Sequence, residues 1–374
     1  MKSIFYSWLT AALIGIGCKA AEQPSPLTEA QQARAELEKR HLAYAADVFV
    51  QTAGQGDLET IELFLRAGMN PNATNKYGST ALVWACGQGR VAVAQALLDK
   101  GADVAAEARD GDSPLTAAAS EGQMKIAEFL LAQGANVNAR TRSGILPLIA
   151  AVREYRNDMV QFLISKGADL EARDPQGCTP LFFAAYNSKN EDANGASVST
   201  VKLLLAKGAK VNVKDGEGST PLIWAAKKGE GDIVQMLIAA GGEITATNQN
   251  GETVLHSGVG GGADPGLAKV LVSRGAALDA QDAGGETALI KACRRKRPGM
   301  ALALIELGAR PNLQDKEGRT ALMIAADYGN ATIADGLLKA GADPSLKNNH
   351  GQTALDIARE QHTAAFQTLR SASQ

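Results

Sequence analysis

Aromatic residues are scarce in this sequence of 374 residues, of which Phe, Trp and Tyr together make up 5%. This scarcity argues against one large core built from aromatic side chains, whereas 39 glycines and a hydrophobic fraction of 45% suit close-packed small helices. Four cysteines in a chain of this length exclude a disulfide scaffold. The 38 basic and 40 acidic side chains give a net charge of −2, without the surplus of cations that general binding to nucleic acid requires.

Motifs for catalysis and metal binding are missing as well. None of the four histidines lies at ligand spacing from a cysteine or another histidine, so no metal site is expected. The sequence contains no G-x-S-x-G, H-E-x-x-H or P-loop motif. The glycine run at 258–262 lacks the Lys-Ser/Thr pair that follows in a phosphate-binding loop. We therefore expect no catalytic residue, no cofactor and a protein that is not an enzyme.

The first 17 residues form a segment of their own, in which one lysine precedes an apolar run. The run is shorter than the ~20 residues of a membrane-spanning helix and is typical of a secretory signal. Its end, Ile14-Gly15-Ile16-Gly17-Cys18, resembles a bacterial lipoprotein signal, with Gly15 where that family usually has Leu. The resemblance implies cleavage before Cys18, lipid attachment to its thiol, and membrane contact on the periplasmic side of a bacterial cell envelope. Two alternatives stay open: a signal cut after Ala20, giving a soluble periplasmic or secreted protein, and a cytosolic protein with a hydrophobic start.

Residues 18–40 are expected to form a tether and a short helix. The segment after Cys18 is polar and interrupted by prolines, as a flexible tether is. Thr28 and Gln31 have the spacing of a capping box, and residues 28–40 are rich in Ala, Glu, Gln and Arg. We expect this helix to be solvated and without chemistry of its own.

Two series of glycines recur with a common spacing along the rest of the chain. In each series the nine members are separated by 33, 33, 33, 41, 33, 34, 33 and 33 residues. Two markers that keep the same register indicate a solenoid built from repeated units. The glycines of the first series precede a Thr-x-Leu-like triplet and are Gly78, Gly111, Gly144, Gly177, Gly218, Gly251, Gly285, Gly318 and Gly351. The second series consists of Gly68, Gly101, Gly134, Gly167, Gly208, Gly241, Gly275, Gly308 and Gly341.

The segment 220–241 shows how one unit is predicted to fold. Thr220 can cap a helix whose first turn accommodates Pro221, and Gly229 interrupts that helix. A second apolar face at helical spacing then leads to Gly241, where a left-handed residue ends the second helix. The turn-rich stretch after it predicts an extended finger before the next unit. Each unit is therefore a helix, a turn, a second helix and a hairpin-like loop.

The repeated motifs resemble those of the ankyrin-repeat family. The T-P-L-H-x-A motif appears as Thr179-Pro180-Leu181-Phe182-Phe183-Ala184, and the L-L-x-x-G-A motif as Leu97-Leu98-Asp99-Lys100-Gly101-Ala102. The resemblance covers about residues 43–370 and implies an all-α ankyrin-repeat solenoid over residues 41–374, with about ten units including caps. Two features depart from the family pattern: His256 is the only motif histidine, and Leu146 stands where the fourth unit should have a capping Thr.

Three local features lead to further expectations. The 41-residue step indicates an insertion of eight residues near 187–197, either a tolerated surface loop or a loop that contacts a partner. Cys86, Cys178 and Cys293 lie in different units, too far apart for a disulfide, so we expect free thiols. The helix-interior glycines within 258–262 each reduce helix stability by roughly 1 kcal/mol relative to Ala, so the seventh unit should be the least stable unit of the array.

The family resemblance implies partner binding on the concave side, through finger tips and the exposed face of each first helix. Counted from the capping residue, positions five, eight and nine share that face. They carry aromatic and cationic side chains of the kinds that dominate interface energetics, which suit a protein with an acidic and apolar surface. The alternative is that the aromatics only bridge neighbouring units. The predicted partner-binding residues are Trp84, Arg153, Phe183, Tyr186, Trp224, Lys227, Lys228, Arg294, Arg295 and Tyr328.

Together these features predict a monomeric, non-enzymatic adaptor that is lipid-anchored in a bacterial envelope. Two related interpretations are an immunity-type inhibitor of one toxin or enzyme, and a stabiliser of a periplasmic oxidative-stress enzyme. The basic run 294–297 offers a second use of the surface, contact with anionic lipid headgroups. An enzyme with its site in the 187–197 loop is the rival from another class, disfavoured because no acid, base or nucleophile is suitably placed.

Overall fold

A computed structural model describes residues 27–109, 111–186, 194–361 and 364–372. These ranges contain 21 helices and three isolated bridges, but no β-strand. In chain order the helices are α1 (Glu29–Lys39), α2 (Ala46–Gln55), α3 (Leu58–Arg66), α4 (Ala81–Gly87), α5 (Val91–Asp99), α6 (Pro114–Glu121), α7 (Met124–Ala132), α8 (Pro147–Arg153), α9 (Asn157–Ser165), α10 (Pro180–Tyr186), α11 (Asn194–Ala206), α12 (Pro221–Lys228), α13 (Gly231–Ala239), α14 (Val254–Gly261), α15 (Pro265–Ser273), α16 (Ala288–Arg294), α17 (Pro298–Glu306), α18 (Ala321–Asp327), α19 (Ala331–Lys339), α20 (Ala354–Glu360) and α21 (Ala365–Ala372).

Helices α2 to α21 form ten consecutive pairs, which we number as units one to ten. The first helices of successive units contact one another from α2 to α20, and most second helices also contact the second helices of their neighbours. Each unit is too small to bury its apolar side chains alone, so neighbouring units bury them together in one continuous core. The prediction of an all-α solenoid of about ten units is confirmed.

The ends of the helices follow the sequence signals. The Thr220 side chain accepts the backbone N–H of Ile223, and Pro221 occupies the first turn of α12. Gly229 then adopts a left-handed conformation with φ of 79°, which ends the helix. Leu146 makes no side-chain cap at the start of α8, as its apolar side chain predicts.

Helix α1 differs from the expectation of a solvated helix. The predicted capping box of Thr28 and Gln31 is present, but Ala33 and Leu37 are buried against the second-helix layer. The Nε–H of Arg34 also donates to the carbonyl oxygen of Ala67 at 3.2 Å. Because Ala33 and Leu37 are four residues apart, they form one narrow apolar stripe that α3 covers. The prediction of solvation was wrong, since this helix closes one end of the second-helix layer.

Each finger is a tight turn that a polar side chain stabilises. In unit six, Oδ1 of Asp215 accepts the backbone N–H groups of Glu217 and Ser219 at 2.9 and 2.8 Å. Neighbouring fingers are joined through the backbone, because the N–H of Gly216 donates to the carbonyl oxygen of Gln176 at 2.7 Å, and equivalent bonds continue to the last finger. Pro175 occupies the corresponding position in unit five and has no N–H to donate to the finger of unit four.

The predicted insertion lies partly outside the described residues, which exclude 187–193. The remainder does not form a loop, because α11 already begins at Asn194 and is 13 residues long. Ser197 is fully buried, and its hydroxyl donates to the carbonyl oxygen of Ala184 at 2.7 Å. The end of the predicted insertion, 194–197, therefore extends the second helix of unit five.

Helix α14 contains the glycine-rich segment and packs very closely against α12. A Cβ atom added to Gly261 would lie 1.7 Å from the carbonyl oxygen of Lys227, so no other residue fits there without a shift of the backbone. A Cβ atom on Gly258 would meet its nearest neighbour, the carbonyl oxygen of Ala226, at an ordinary distance of 3.6 Å. Close helix packing thus explains Gly261 but not Gly258.

The three described cysteines are free, as their spacing predicts. Cys86 and Cys293 are completely buried in equivalent first helices, and Cys178 is 5% exposed. Burial raises the pKa of the Cys293 thiol to about 12 and also raises that of Cys86. These side chains act as small apolar core residues.

Candidate functional site

Trp224, a predicted partner-binding residue, is held by the finger of its own unit. Its indole Nε1–H donates to Oδ2 of Asp215 at 2.8 Å, while Oδ1 of the same carboxylate accepts the finger N–H groups. Asp215 is 9% exposed, and these three donors compensate for its burial. One carboxylate therefore fixes both the finger turn and the orientation of the indole.

This indole and three further aromatic side chains line one cavity and form what we call the aromatic cluster: Phe182, Phe183, Tyr186 and Trp224. The ring centroids of Tyr186 and Trp224 are 4.3 Å apart, and those of Phe182 and Trp224 are 6.3 Å apart. Both pairs are edge-to-face, an arrangement worth about 0.5–1.5 kcal/mol beyond burial. Phe182 is buried, whereas the other three rings are half-buried and reach the surface.

Three cations surround the aromatic cluster. The Lys227 ammonium lies 5.9 Å from the centroid of the Trp224 ring, and the Lys228 ammonium lies 4.2 Å from that of Tyr186. The Arg153 guanidinium lies 5.7 Å from the centroid of Phe183. These cation–π contacts hold the charged groups themselves over the faces of the rings. A positive rim thus borders the aromatic surface.

A cavity of 380 Å³ opens between the aromatic cluster and the fingers of units five and six. Its size is within the range of small-molecule sites, and its wall is almost entirely apolar. The four rings form its helix side. The finger side is formed by Asp174, Gln176, Cys178, Asp215, Gly216 and Glu217.

Six of the ten predicted partner-binding residues therefore lie together. Their role in binding stays a prediction, but their proximity follows from the stacking of three units. Sequence reasoning missed Asp215 as the residue that orients Trp224, and it missed Phe182, which stands at the motif-histidine position. The nine-residue spacing between Asp215 and Trp224 was the available signal for that pair. The six residues are Arg153, Phe183, Tyr186, Trp224, Lys227 and Lys228.

Arg294 belongs to a second, charged cluster in units seven to nine. Its guanidinium pairs with Glu286 and with Asp315, whose side chain is only 3% exposed. Lys291 pairs with Glu252 in the same region. Burial raises the pKa of the Glu252 carboxyl, but the hydrogen bonds from Lys291 and Asn248 and the charge of Lys291 together outweigh it, so the pKa is lowered. Arg294 is thus neutralised within the protein, whereas Lys227 and Lys228 form no ion pair with any described residue.

Arg295 and Tyr328 border a polar cavity of 560 Å³ next to this charged cluster. The basic run does not form one cationic patch, because its members point to different partners. The Lys296 ammonium lies 4.9 Å from the centroid of the Tyr328 ring, and Arg297 donates to the carbonyl oxygens of Val259 and Ala263. This dispersal argues against contact of the whole run with lipid headgroups.

Trp84 stands apart from both clusters. It is 42% exposed on α4, and its ring packs on Gly54, where an added Cβ atom would lie 2.9 Å from Cε3. The finger residue nine positions earlier is Asn75, whose Oδ1 accepts two backbone N–H groups. An amide offers no second oxygen to an indole, whereas Asp215 does. This difference accounts for the two orientations of Trp84 and Trp224.

The described residues contain no group of three or more His, Cys, Asp or Glu side chains that could hold a metal ion. Across the same ranges, no helix combines the length and apolar character needed to cross a bilayer. Cys18 and the predicted signal segment lie outside the described residues, so lipid attachment stays a prediction.

Comparisons with known proteins agree with this architecture. The family described as "Ankyrin repeats (3 copies)" matches residues 49–141, 192–282, 259–348 and 301–373, and "Ankyrin repeats (many copies)" matches 153–193. No curated protein sequence matches the chain. Among 625 matching chains of solved structures is the crystal structure of the human ASB11 ankyrin repeat domain, at 27% identity and a TM-score of 0.51. That match covers 60% of this chain and 96% of the human one. The chain therefore belongs to the ankyrin-repeat family.

Proposed function

We propose that this protein is a non-enzymatic adaptor that binds another protein on the concave face of its array. The family to which it belongs is typically a protein-interaction module. The observation that supports a specific surface is the aromatic cluster with its cationic rim, assembled from units four, five and six. Aromatic and arginine side chains in partly desolvated pockets are the usual energetic centres of interfaces.

The partner has an acidic surface with apolar residues. Lys227 and Lys228 are exposed, and neither forms an ion pair within the described parts of the chain. Carboxylates on a partner would supply that pairing, while apolar side chains would cover the half-buried rings. Because a stacked array holds these groups in place before binding, few side chains need to be ordered in the complex.

The adaptor works as a monomer on the periplasmic side of a bacterial envelope, anchored through a lipid on Cys18. This proposal rests on the resemblance of residues 14–18 to a lipoprotein signal. Replacing Cys18 with Ser should move the protein from the membrane fraction to the soluble fraction. Unchanged fractionation of Cys18→Ser would contradict the anchor and favour a soluble periplasmic or secreted protein.

Partner capture with the full chain tests the proposed surface. The double variant Lys227→Glu/Lys228→Glu should retain at least tenfold less partner, because losing both ion pairs and adding repulsion weakens binding by more than about 1.4 kcal/mol. A matched control is Lys202→Glu/Lys207→Glu, which changes two exposed lysines in and next to α11 by the same charge. Equal capture by both double variants would contradict the surface.

The identity of the captured protein distinguishes the related interpretations. A toxin or an enzyme that loses activity on binding would identify an immunity-type inhibitor. An oxidative-stress enzyme that gains thermal stability would identify a stabiliser.

A further inference from the structure

Units five and six carry the same finger arrangement with one difference. Asp174 and Asp215 each use Oδ1 to accept two backbone N–H groups of their own finger. Nine residues later, unit six has Trp224 and unit five has Phe183. The indole of Trp224 donates to Oδ2 of Asp215, whereas a phenyl ring has no N–H. Oδ2 of Asp174 therefore has no hydrogen-bond donor among the described residues.

The space next to Asp174 is the cavity of 380 Å³ that the aromatic cluster borders. Asp174 and Phe183 both line it, together with Tyr186 and Trp224. The cavity thus combines apolar ring surfaces with the half-buried carboxylate of Asp174, which is not fully satisfied. In unit six, the second oxygen of the corresponding carboxylate accepts a hydrogen bond from an indole of the chain itself.

The charges around the cavity are distributed asymmetrically. The finger side carries the carboxylates of Asp174, Asp215 and Glu217, of which Asp215 already accepts the indole N–H of Trp224. The helix side carries the ammonium groups of Lys227 and Lys228 near its edge. A bound group is therefore favoured if its hydrogen-bond donor points to the finger and its negative charge points to the helix ends. A cationic ligand is disfavoured, because Lys227 and Lys228 already stand over the rings of Trp224 and Tyr186.

We propose that this cavity receives one tryptophan side chain of the protein partner, from a segment with acidic residues on both sides. The indole packs against Phe183, Tyr186 and Trp224, and its N–H donates to Oδ2 of Asp174. The flanking carboxylates pair with Lys227 and Lys228. The inference rests on the proposed function, because it names the residue that anchors the partner.

The choice of tryptophan over other apolar anchors follows from hydrogen bonding. A leucine or phenylalanine would cover the rings but would remove water from Asp174 without replacing its hydrogen bond. A site that is built to accept a hydrogen bond discriminates strongly against an analogue that lacks the donor. The chain itself provides the precedent, since Trp224 satisfies Asp215 in this way.

A defined peptide tests the anchor directly. The probe is a fluorescein-labelled, end-blocked peptide, Asp-Glu-Trp-Glu-Asp, titrated into the full chain and followed by fluorescence anisotropy. Two control peptides replace Trp with Phe or Ala, and a third replaces all four acids with Lys. We expect the Trp peptide to bind about tenfold more tightly than the Phe and Ala peptides, and the Lys-flanked peptide to bind least.

Two protein variants distinguish binding of the tryptophan anchor from nonspecific binding of the peptide. Asp174→Asn keeps the turn acceptor, as Asn75 and Asn248 do in other fingers, but removes the acceptor for the indole. Phe183→Trp should place an indole of the chain itself in the cavity and satisfy Asp174 as unit six does. Each variant should weaken binding of the Trp peptide about tenfold, while Lys202→Glu leaves it unchanged.

Several results would overturn the inference. One is equal affinity of the Trp and Ala peptides for the wild-type protein. Another is undiminished binding of the Trp peptide to a Phe183→Trp variant that has the wild-type circular dichroism spectrum. If the Trp peptide fails to bind but Lys227→Glu/Lys228→Glu still reduces partner capture, the anchor is wrong and the proposed function stands. If the Trp peptide fails to bind and Lys227→Glu/Lys228→Glu leaves partner capture unchanged, both the anchor and the proposed function are wrong.

Discussion

The imidazole of His256 joins two units: its Nε2–H donates to the carbonyl oxygen of Glu286 at 2.9 Å. On the other side of the ring, Nδ1 lies 2.8 Å from the hydroxyl of Thr253. A carbonyl oxygen can only accept, which places the proton on Nε2 and makes Nδ1 the acceptor. His256 is 1% exposed and is the only motif histidine in the chain.

This geometry predicts a loss of stability in acid. Burial lowers the pKa of His256, and the charge of Lys291 acts in the same direction, outweighing the bond to Glu286. The unfolded histidine keeps its ordinary pKa of about 6.5, so below that pH the unfolded chain binds more protons than the folded one. The free energy of unfolding should therefore fall as the pH drops below about 6.5.

Urea unfolding at about pH 7.5 and about pH 5.5 measures this effect. The variant His256→Asn should be less stable than wild type at the higher pH, because it loses the link between units. It should also lose less stability between the two pH values. The same pH dependence in His256→Asn and wild type would assign the effect to other groups.

The two glycines of α14 should respond in opposite directions to the same substitution. Gly258→Ala removes a helix-interior glycine where a Cβ atom fits, so stability should rise by up to about 1 kcal/mol. Gly261→Ala places a Cβ atom against the carbonyl oxygen of Lys227, so stability should fall by about 1–3 kcal/mol. Thermal unfolding of the two variants checks the signs, and a gain for Gly261→Ala would refute the close helix contact.

Unit seven should open more readily than its neighbours. Gly258, Gly260 and Gly261 are helical, and each lowers helix propensity by about 1 kcal/mol relative to Ala. Backbone amides of α14 should therefore exchange with deuterium faster than those of α12 and α16 in native conditions. Slower exchange in α14 would mean that its tight packing on α12 outweighs the cost of the glycines.

The described cysteines should not react with thiol reagents in the folded protein. Burial raises the pKa of Cys178 and Cys293 to about 12, so little thiolate is present at neutral pH. In a Cys18→Ser chain, a colorimetric thiol reagent should detect almost no reactive thiol until denaturant is added. Immediate reaction of Cys178, which borders the aromatic cavity, would show that the cavity admits the reagent and that the thiol ionises there.

The array could be predicted from the sequence because its information is local. Capping by Thr220, the helix end at Gly229 and the repeat length all depend on residues within one unit, and each signal recurs along the chain. Helix α1 was harder, since its narrow stripe of Ala33 and Leu37 has meaning only when α3 lies against it. The start of α11 at Asn194 was hidden by polar residues that resemble a loop.

The composition of the surface was likewise visible in the sequence, where aromatic and cationic residues share positions five, eight and nine. Their individual states were decided by tertiary structure. Arg294 is neutralised by Glu286 and Asp315, whereas Lys227 lies over Trp224 and forms no ion pair in the described ranges. The pairing of Arg294 with Asp315 depends on the stacking of neighbouring units, and all three contacts depend on the side-chain orientation that packing selects. The repeat determines where each side chain can be, and the neighbouring units determine what it contacts.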